Sequence, residues 1–491
     1  MATPTREQPR DEPVNSMSAN IRIGARNPLA QPRVRRLIAA AILVLALALR
    51  VGAVQHYHYR PVFDGRSYLK LSGQVANSGD YSSADRGAGG THGPTAYFPP
   101  AFPYFLAIVD AVDGQPARSL RNVHLVRLEQ AALGTVTVAL VGLVALELFG
   151  PATGLIALAL AAVYPVLIEL STVPVAENLL VALELGAVYA ALRVRTAMRP
   201  FRWLIAAGVC TGLAALTHAN GVVLAIPIAI AMWNLKTAPG VPKWARGRPW
   251  APPLLLLLVT LLTVTPWLIR NAVELHTFVP ISDEGGITLI GTYNATAAHE
   301  SNPPWRWRFY PAVRSLKNTV RGHQTLSEAQ FSAHLESAAL SYIAHHPLAP
   351  VEVAFDNTLR LLELEGKRAQ VFSAGSIGLR YGEARLAVYS FWLLMIVALA
   401  GLFTRAIRTV PRWVWIVPLL MWLSVALVNA ETPRFREPLE PFFIIAAACA
   451  LEALARRAGA APSVQRLLGF SARPAHAVDT AKPPGRDPAQ S

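Results

Sequence analysis

Ten long apolar stretches recur along the chain, at 36–55, 124–149, 152–170, 175–193, 203–218, 220–235, 251–269, 386–404, 413–429 and 438–455. Each comes close to the roughly 20 residues that a helix rising 1.5 Å per residue needs to cross a bilayer. A membrane β-barrel would instead give short segments of alternating apolar and polar residues. The pattern therefore predicts an all-α polytopic membrane protein of about ten transmembrane helices. One further segment, "PPAFPYFLAIVDAV" (99–112), is short, opens with three prolines in five residues and carries Asp110. It reads as a helix lying in the interface or re-entering, not as a span. Two polar segments also keep a helical period. Tyr68, Leu71 and Val75 mark an interfacial helix, and 326–366 holds two amphipathic patterns separated by "HHP".

Charge sets the orientation. With "RVRR" (33–36) in the cytoplasm and 99–112 left uncounted, the basic segments 193–202, 236–249, 405–412 and 456–457 all fall on that same side. The outer side then receives 56–123, 171–174, 218–220, 270–385 and 430–437, which hold nearly all the suggestive polar residues. The spans themselves read as clean. Residues 1–35 and 456–491 are expected to be disordered cytoplasmic tails flanking one membrane domain, 36–455; the first lacks the apolar core of a cleaved signal. Within that domain 56–123 is the first outer loop, with its interfacial helices, and 270–385 the large one.

Composition narrows the picture further. The chain is 53% hydrophobic and 15% charged, with a formal charge of +15. Its Lys and Arg sit mostly in short loops, where they carry topology, so no nucleic-acid partner is expected. Cys210 and Cys449 lie inside apolar stretches and form neither a disulfide framework nor a metal motif. Neither a metal nor another cofactor is expected.

The outer segments carry six groups of candidate residues, each with a plainer reading beside it. Asp64, just past the first span, is an N-cap carboxylate or a base. Tyr97, Phe98, Pro99 and Pro100 are interfacial anchors or the wall of a groove for an apolar chain. Glu177, at the outer start of the fourth span, is a first-turn acid favoured by the helix dipole or a functional acid. His218 and Asn220, in "THANG", form a turn or bind a ligand. Arg270 breaks the charge rule at the outer end of the seventh span, either snorkelling to headgroups or gripping a phosphate. Arg434 and Arg436, with Pro on both sides, make a cationic edge or an ion-pair network with Glu431, Glu437 and Glu440. The "DEGG" turn displays Asp283 and Glu284 on the outer face.

Any one of these signals is weak, but their order is informative. Asp64, then "PTAYFPPAFP", Glu177, "GLAALTHANG", "TPWLIRN" with "FVPIS" after it, "YIAHHP" and finally "PRFREPLEPF" together resemble the C-type membrane glycosyltransferase (GT-C) superfamily. Within it, the set resembles the polyprenyl-phosphate-sugar transferases of the protein O-mannosyltransferase, aminoarabinose transferase and lipopolysaccharide core transferase kind, over about residues 36–455. The resemblance implies a GT-C fold in a bacterial cytoplasmic membrane with its site on the extracytoplasmic face. The implied donor is a polyprenyl-phosphate-linked sugar within the bilayer, and the acceptor a hydroxyl of a glycan, lipid or protein. Asp64 then stands where the family has its base and Glu177 where it has an assisting acid; Arg270 and Arg434 or Arg436 are the choices for the donor phosphate. There are departures: Gly65 stands where some relatives have a second acid, Phe98 where many have a basic residue before the prolines, and His218 where many have Arg. Two rivals stay open, a polyprenyl-linked lipid or glycan transporter and an oligosaccharide polymerase or ligase. A transporter would place polar groups near mid-bilayer.

Overall fold

Local chemistry sets most helix boundaries. Prolines occupy the first turns at Pro32, Pro151, Pro165 and Pro200, where a missing N–H costs nothing. Ser119 and Ser327 cap the helices that follow them, the latter in a reciprocal box with Gln330. Gly79 and Gly114 end their helices in the left-handed conformation. In a computed structural model, residues 31–83, 93–114, 119–233, 235, 247–299, 303–309 and 326–457 are described. The expected tails fall almost wholly outside these residues, as does most of the basic segment 236–249.

In chain order the helices are α1 (Pro32–His56), α2 (Phe63–Ser78), α3 (Ala101–Asp113), α4 (Leu120–Phe149), α5 (Pro151–Val163), α6 (Pro165–Leu170), α7 (Ala176–Thr196), α8 (Pro200–Thr217) and α9 (Ala225–Met232). There follow α10 (Ala251–Glu274), α11 (Gly285–Thr292), α12 (Ala295–His299), α13 (Glu328–His345), α14 (Ala349–Leu361), α15 (Lys367–Ser376), α16 (Tyr381–Leu402), α17 (Arg412–Ala426) and α18 (Glu440–Arg457). Short 3₁₀ turns cover Ala219–Leu224, Ile407–Thr409 and Pro433–Leu439. The described strand pairing is a two-residue antiparallel contact, Ser82–Ser83 with Gly93–Pro94.

All ten apolar stretches are helical. Six helices are long and apolar enough to cross a membrane: α1, α4, α8, α10, α16, and α18 together with the turn at Pro433. Three more apolar helical segments, Pro151–Val163, Ala219–Met232 and Arg412–Ala426, are shorter. The tenth, α7, has 21 residues but carries Glu177, Glu184, Arg193 and Arg195. The chain is a multi-pass membrane protein. Segment 99–112 forms α3, whose 13 residues reach about 20 Å, short of the roughly 30 Å hydrocarbon core. It lies against α2.

The main core joins α5, α7, α8, α16 and α18 through small residues, among them Ala161, Ala187, Ala191, Ala207 and Ala447. With no water to exclude between helices in lipid, close backbone approach and dispersion supply the attraction. A second core, built on Ile287, Tyr293, Trp305, Phe331, Leu335 and Val353, holds α11, α13 and α14 together as a layer beyond the spans. This layer matches the amphipathic patterns expected at 326–366.

The spans are less clean than their sequence suggests. Arg50 of α1 is fully buried, as is Glu184 of α7. Pro165 interrupts the third apolar stretch at Tyr164, splitting it into α5 and α6 and removing the N–H that would have closed the last turn of α5. The Arg50 guanidinium donates to the carbonyls of Ala161 and Ala162 there (3.3 and 3.2 Å), to Ala46 (3.2 Å) and to the Ser171 hydroxyl (3.2 Å). Replacing Arg50 by Met would strand these acceptors. At ~1–3 kcal/mol for a buried unsatisfied group, Arg50→Met is expected to unfold at a clearly lower temperature in detergent than the parent chain. An unchanged melting curve would mean that these hydrogen bonds contribute little.

Candidate active site

Asp64 lies in the first turn of α2, one residue after Phe63, whose backbone holds a left-handed φ of 40°. The N-cap position belongs to Val62, so the Asp64 carboxylate is not spent on capping. The connector before it is bolted down. The Tyr57 carbonyl accepts from Arg127 (3.2 Å), the His58 N–H donates to Glu383 (2.9 Å), and the Arg60 N–H donates to the Gly378 carbonyl (3.0 Å). Gly378 has a left-handed φ of 83°, and a Cβ there would stand 2.1 Å from the Arg60 carbonyl oxygen. Gly65 is likewise constrained, since its Cβ would meet the Tyr59 hydroxyl at 2.8 Å. A second acid at this position would have to displace the Tyr59 hydroxyl.

Arg434, in the 3₁₀ turn before α18, donates to the Asp64 carboxylate and lies 3.2 Å from Glu177 in the first turn of α7. Three segments distant in the chain thus meet at one end of the helix set. Asp64 keeps about a third of its side chain exposed (34%), whereas Glu177 (4%) and Arg434 (11%) are enclosed. The three groups carry one positive and two negative formal charges, so one carboxylate remains only partly compensated. The Phe435 ring lies 4.8 Å from the guanidinium on one side. His218 approaches that ring edge-on at 6.1 Å.

The aromatic segment stacks up to Asp64. Tyr97, Phe98, Tyr68 and Phe102 form a run of ring contacts at 4.7, 4.8 and 4.9 Å, and Tyr68 is one helical turn from Asp64. The Phe98 and Pro99 carbonyls accept from the Tyr81 hydroxyl (2.9 and 3.3 Å), and Pro100 is the N-cap of α3. The buried Glu328 carboxylate grips this turn from the outer layer, accepting from the Ala96 N–H at 2.8 Å. Asn220 donates to Ser424 at 3.3 Å.

The other two arginines are engaged elsewhere. Arg270 donates to the carbonyls of Thr95 (2.8 Å) and Tyr81 (2.7 Å) and lies 4.8 Å from the Trp267 ring, so it clamps the aromatic segment to α10. Arg436 is buried against Phe391, donating to Glu440 (2.5 Å) and to the Leu361 carbonyl. Two residues apart in a turn of three residues per turn, Arg434 and Arg436 face directions about 120° apart.

The sequence left Glu284 on display in the "DEGG" turn; the fold brings it inward. Burial, with the charges of Asp64 and Glu177 beside it, pushes its carboxyl up to about 8, Arg434 pulling the other way. Glu431 is pushed up to about 7 by burial, with Arg434 opposing and Asp64 adding to the rise. Among the described residues no group of three or more His, Cys, Asp or Glu is placed to hold a metal ion.

The family model for dolichyl-phosphate-mannose-protein mannosyltransferases matches residues 98–269. That stretch includes Glu177 and His218 but neither Asp64 nor Arg434. No curated protein sequence matches the chain. Among solved structures, the archaeal oligosaccharyltransferase AglB from Archaeoglobus fulgidus, in complex with an inhibitory peptide and a dolichol-phosphate, aligns over 89% of this chain and 52% of its own with a TM-score of 0.54 at 15% identity. The apo form of the Archaeoglobus fulgidus oligosaccharyltransferase gives 0.52 over the same shares at 13% identity. At these identities the likeness shows a shared fold. It spans about half the length of the oligosaccharyltransferase it matches (52%). ArnT from Cupriavidus metallidurans bound to undecaprenyl phosphate aligns over 85% of this chain and 78% of its own, with 15% identity and a TM-score of 0.39.

The charge arrangement gives two expectations. Arg434→Ala leaves two carboxylates facing each other without their cation and is expected to destabilise the protein by roughly 3–5 kcal/mol. Adding Asp64→Asn and Glu177→Gln should recover part of the loss, measured as thermal unfolding in detergent; no recovery would mean that packing, not charge, dominates. The second concerns pH. Glu284, with an ordinary value of 4.5 and a folded value of about 8, holds a proton where the unfolded chain has lost it. Its contribution to stability is complete below pH 4.5 and fades as pH rises through about 8. Glu284→Gln should make the decline in melting temperature between pH 5 and 9 shallower; an equally steep decline would assign it to other acids.

Proposed function

We propose that the protein is an inverting glycosyltransferase that moves a sugar from a polyprenyl-phosphate carrier to a hydroxyl of a cell-envelope acceptor, on the extracytoplasmic face of a cytoplasmic membrane. The observation that carries this reading is the Asp64–Arg434–Glu177 contact, in which a part-exposed acid and an enclosed guanidinium lie side by side beyond the spans. The fold supports it, and so does the dolichol-phosphate held by the oligosaccharyltransferase AglB.

A lipid phosphate is a good leaving group, so the remaining demands are two. The acceptor hydroxyl must lose its proton as its oxygen bonds to the anomeric carbon, and the bond from that carbon to the phosphate oxygen must break on the opposite face. Asp64 takes the proton. Arg434 takes the departing phosphate as negative charge develops on it, a contact a guanidinium makes in two places. Arg434 offsets part of the charge of the two acids. An incoming phosphate draws the guanidinium toward itself and leaves Asp64 free to act as a base. Glu177, nearly enclosed, keeps Arg434 on station. Tyr97, Phe98 and their ring neighbours line the approach for the apolar carrier, and Arg270 holds that segment in place.

The test is transfer from a panel of radiolabelled polyprenyl-phosphate sugars in membranes. Asp64→Asn should lower transfer by roughly 10²–10⁴-fold, the scale of a lost general base, with donor binding retained. Full transfer by this variant would discard the base role.

A further inference from the structure

The four buried residues of α1, Ala46, Arg50, Ala53 and Val54, all fall in its second half. Arg50 fastens that half to the end of α5. Beside the first half, between α1, α4 and α5, lies a groove of about 460 Å³. Its α1 wall keeps a helical period, from Pro32 through Arg35, Arg36 and Ala39 to Leu43. Its floor is the seam where α4 closes on α5. There a Cβ at Gly142 would meet the Leu158 side chain at 2.8 Å, and one at Gly154 would stand 3.0 Å from the Leu146 Cα.

Apart from Arg35 and Arg36 the lining is apolar. Water needs about two to four polar partners to stay in a cavity, so it does not fill this one. A void of this size would forfeit dispersion contacts along three helices. The fitting occupant is a hydrocarbon chain. From Pro32 to Leu43 α1 rises about 16 Å, roughly half of the ~30 Å hydrocarbon core, so the groove is one leaflet deep.

The charge at its mouth selects the headgroup. Among the described residues neither Arg35 nor Arg36 has an acidic partner, and Arg33 lies exposed beside them. The acids close by in sequence are taken: Glu147 lies 3.3 Å from Arg193 and accepts from Thr196 (2.8 Å), and Glu452 accepts from Thr153 and Arg456. A phosphate with no cation of its own suits two adjacent guanidiniums. A zwitterionic headgroup brings an ammonium that they repel.

We propose that this groove binds an anionic glycerophospholipid, its acyl chain between α1, α4 and α5 and its phosphate on Arg35 and Arg36. The basic run at the start of α1 then has a use besides topology. The site lies in the leaflet opposite Asp64, since about 20 residues of α1, some 30 Å, run from Arg36 to His56. It is therefore separate from the sugar donor's phosphate, and the inference does not rest on the transferase reading. The lipid completes the packing of the half of α1 that Arg50 does not reach.

The test is binding, without turnover. Full-length protein in detergent is titrated with dioleoyl phosphatidylglycerol or dioleoyl phosphatidylethanolamine, and retained lipid is counted by native mass spectrometry. The glycerol lipid should be retained at severalfold lower concentration. Arg35→Gln with Arg36→Gln should erase that preference, and Arg35→Lys with Arg36→Lys should keep most of it. Ala139→Phe, which fills the groove without altering charge, should weaken retention severalfold. Equal retention of the two lipids by the parent chain, or of neither, would overturn the proposal. So would a preference that survives the Gln pair, or retention untouched by Ala139→Phe, either of which puts the lipid elsewhere. Displacement of the phosphatidylglycerol by equimolar undecaprenyl phosphate would make this a carrier site and overturn it as well.

Discussion

One guanidinium between two carboxylates ties three distant segments together at one end of this molecule. Arg434 draws on the turn before the last helix, Asp64 on the first loop and Glu177 on the middle of the chain. Two acids at one enclosed place repel each other and are costly to desolvate, so the arrangement needs the cation between them. The same need makes the site responsive: a phosphate that competes for Arg434 changes the charge felt by both acids at once.

The helical segments were legible in the sequence because a bilayer imposes a length. Apolar runs of about 20 residues have few alternatives in lipid, where every backbone polar group must be satisfied within the segment. The helices at Asp64 and within 326–366 were legible by periodicity, and the short helix at 99–112 by its length and prolines. Harder to see was the break in the third stretch. Pro165 announces it, but Arg50, the residue that satisfies the freed carbonyls, stands more than a hundred positions away and looks in sequence like the polar end of a span.

Side-chain pairing was legible only in part. The pattern brought Asp64, Glu177 and the "PRFREP" arginines to one face, but could not say which arginine meets the acids. That choice is made by the tight winding of a short 3₁₀ turn, which sends Arg434 and Arg436 in different directions. Arg270 shows a second limit: a cation that breaks the charge rule suggests an anion, yet backbone carbonyls of Tyr81 and Thr95 satisfy it equally well. Glu284 shows a third, because an acid in a Gly-rich turn reads as solvent-facing until the outer layer folds over it.

The fastening of the connector at Tyr57, His58 and Arg60 has a mechanical consequence. Much of α1 faces away from the protein, with 22% of its most apolar window buried, and Arg50 fastens it to α5. Asp64 does not hang from that helix. It is gauged from α4, from α16 and from the Gly378 bend just before α16, so the spacing of the acid from Arg434 is set by the helices on either side of it and not by the first span alone.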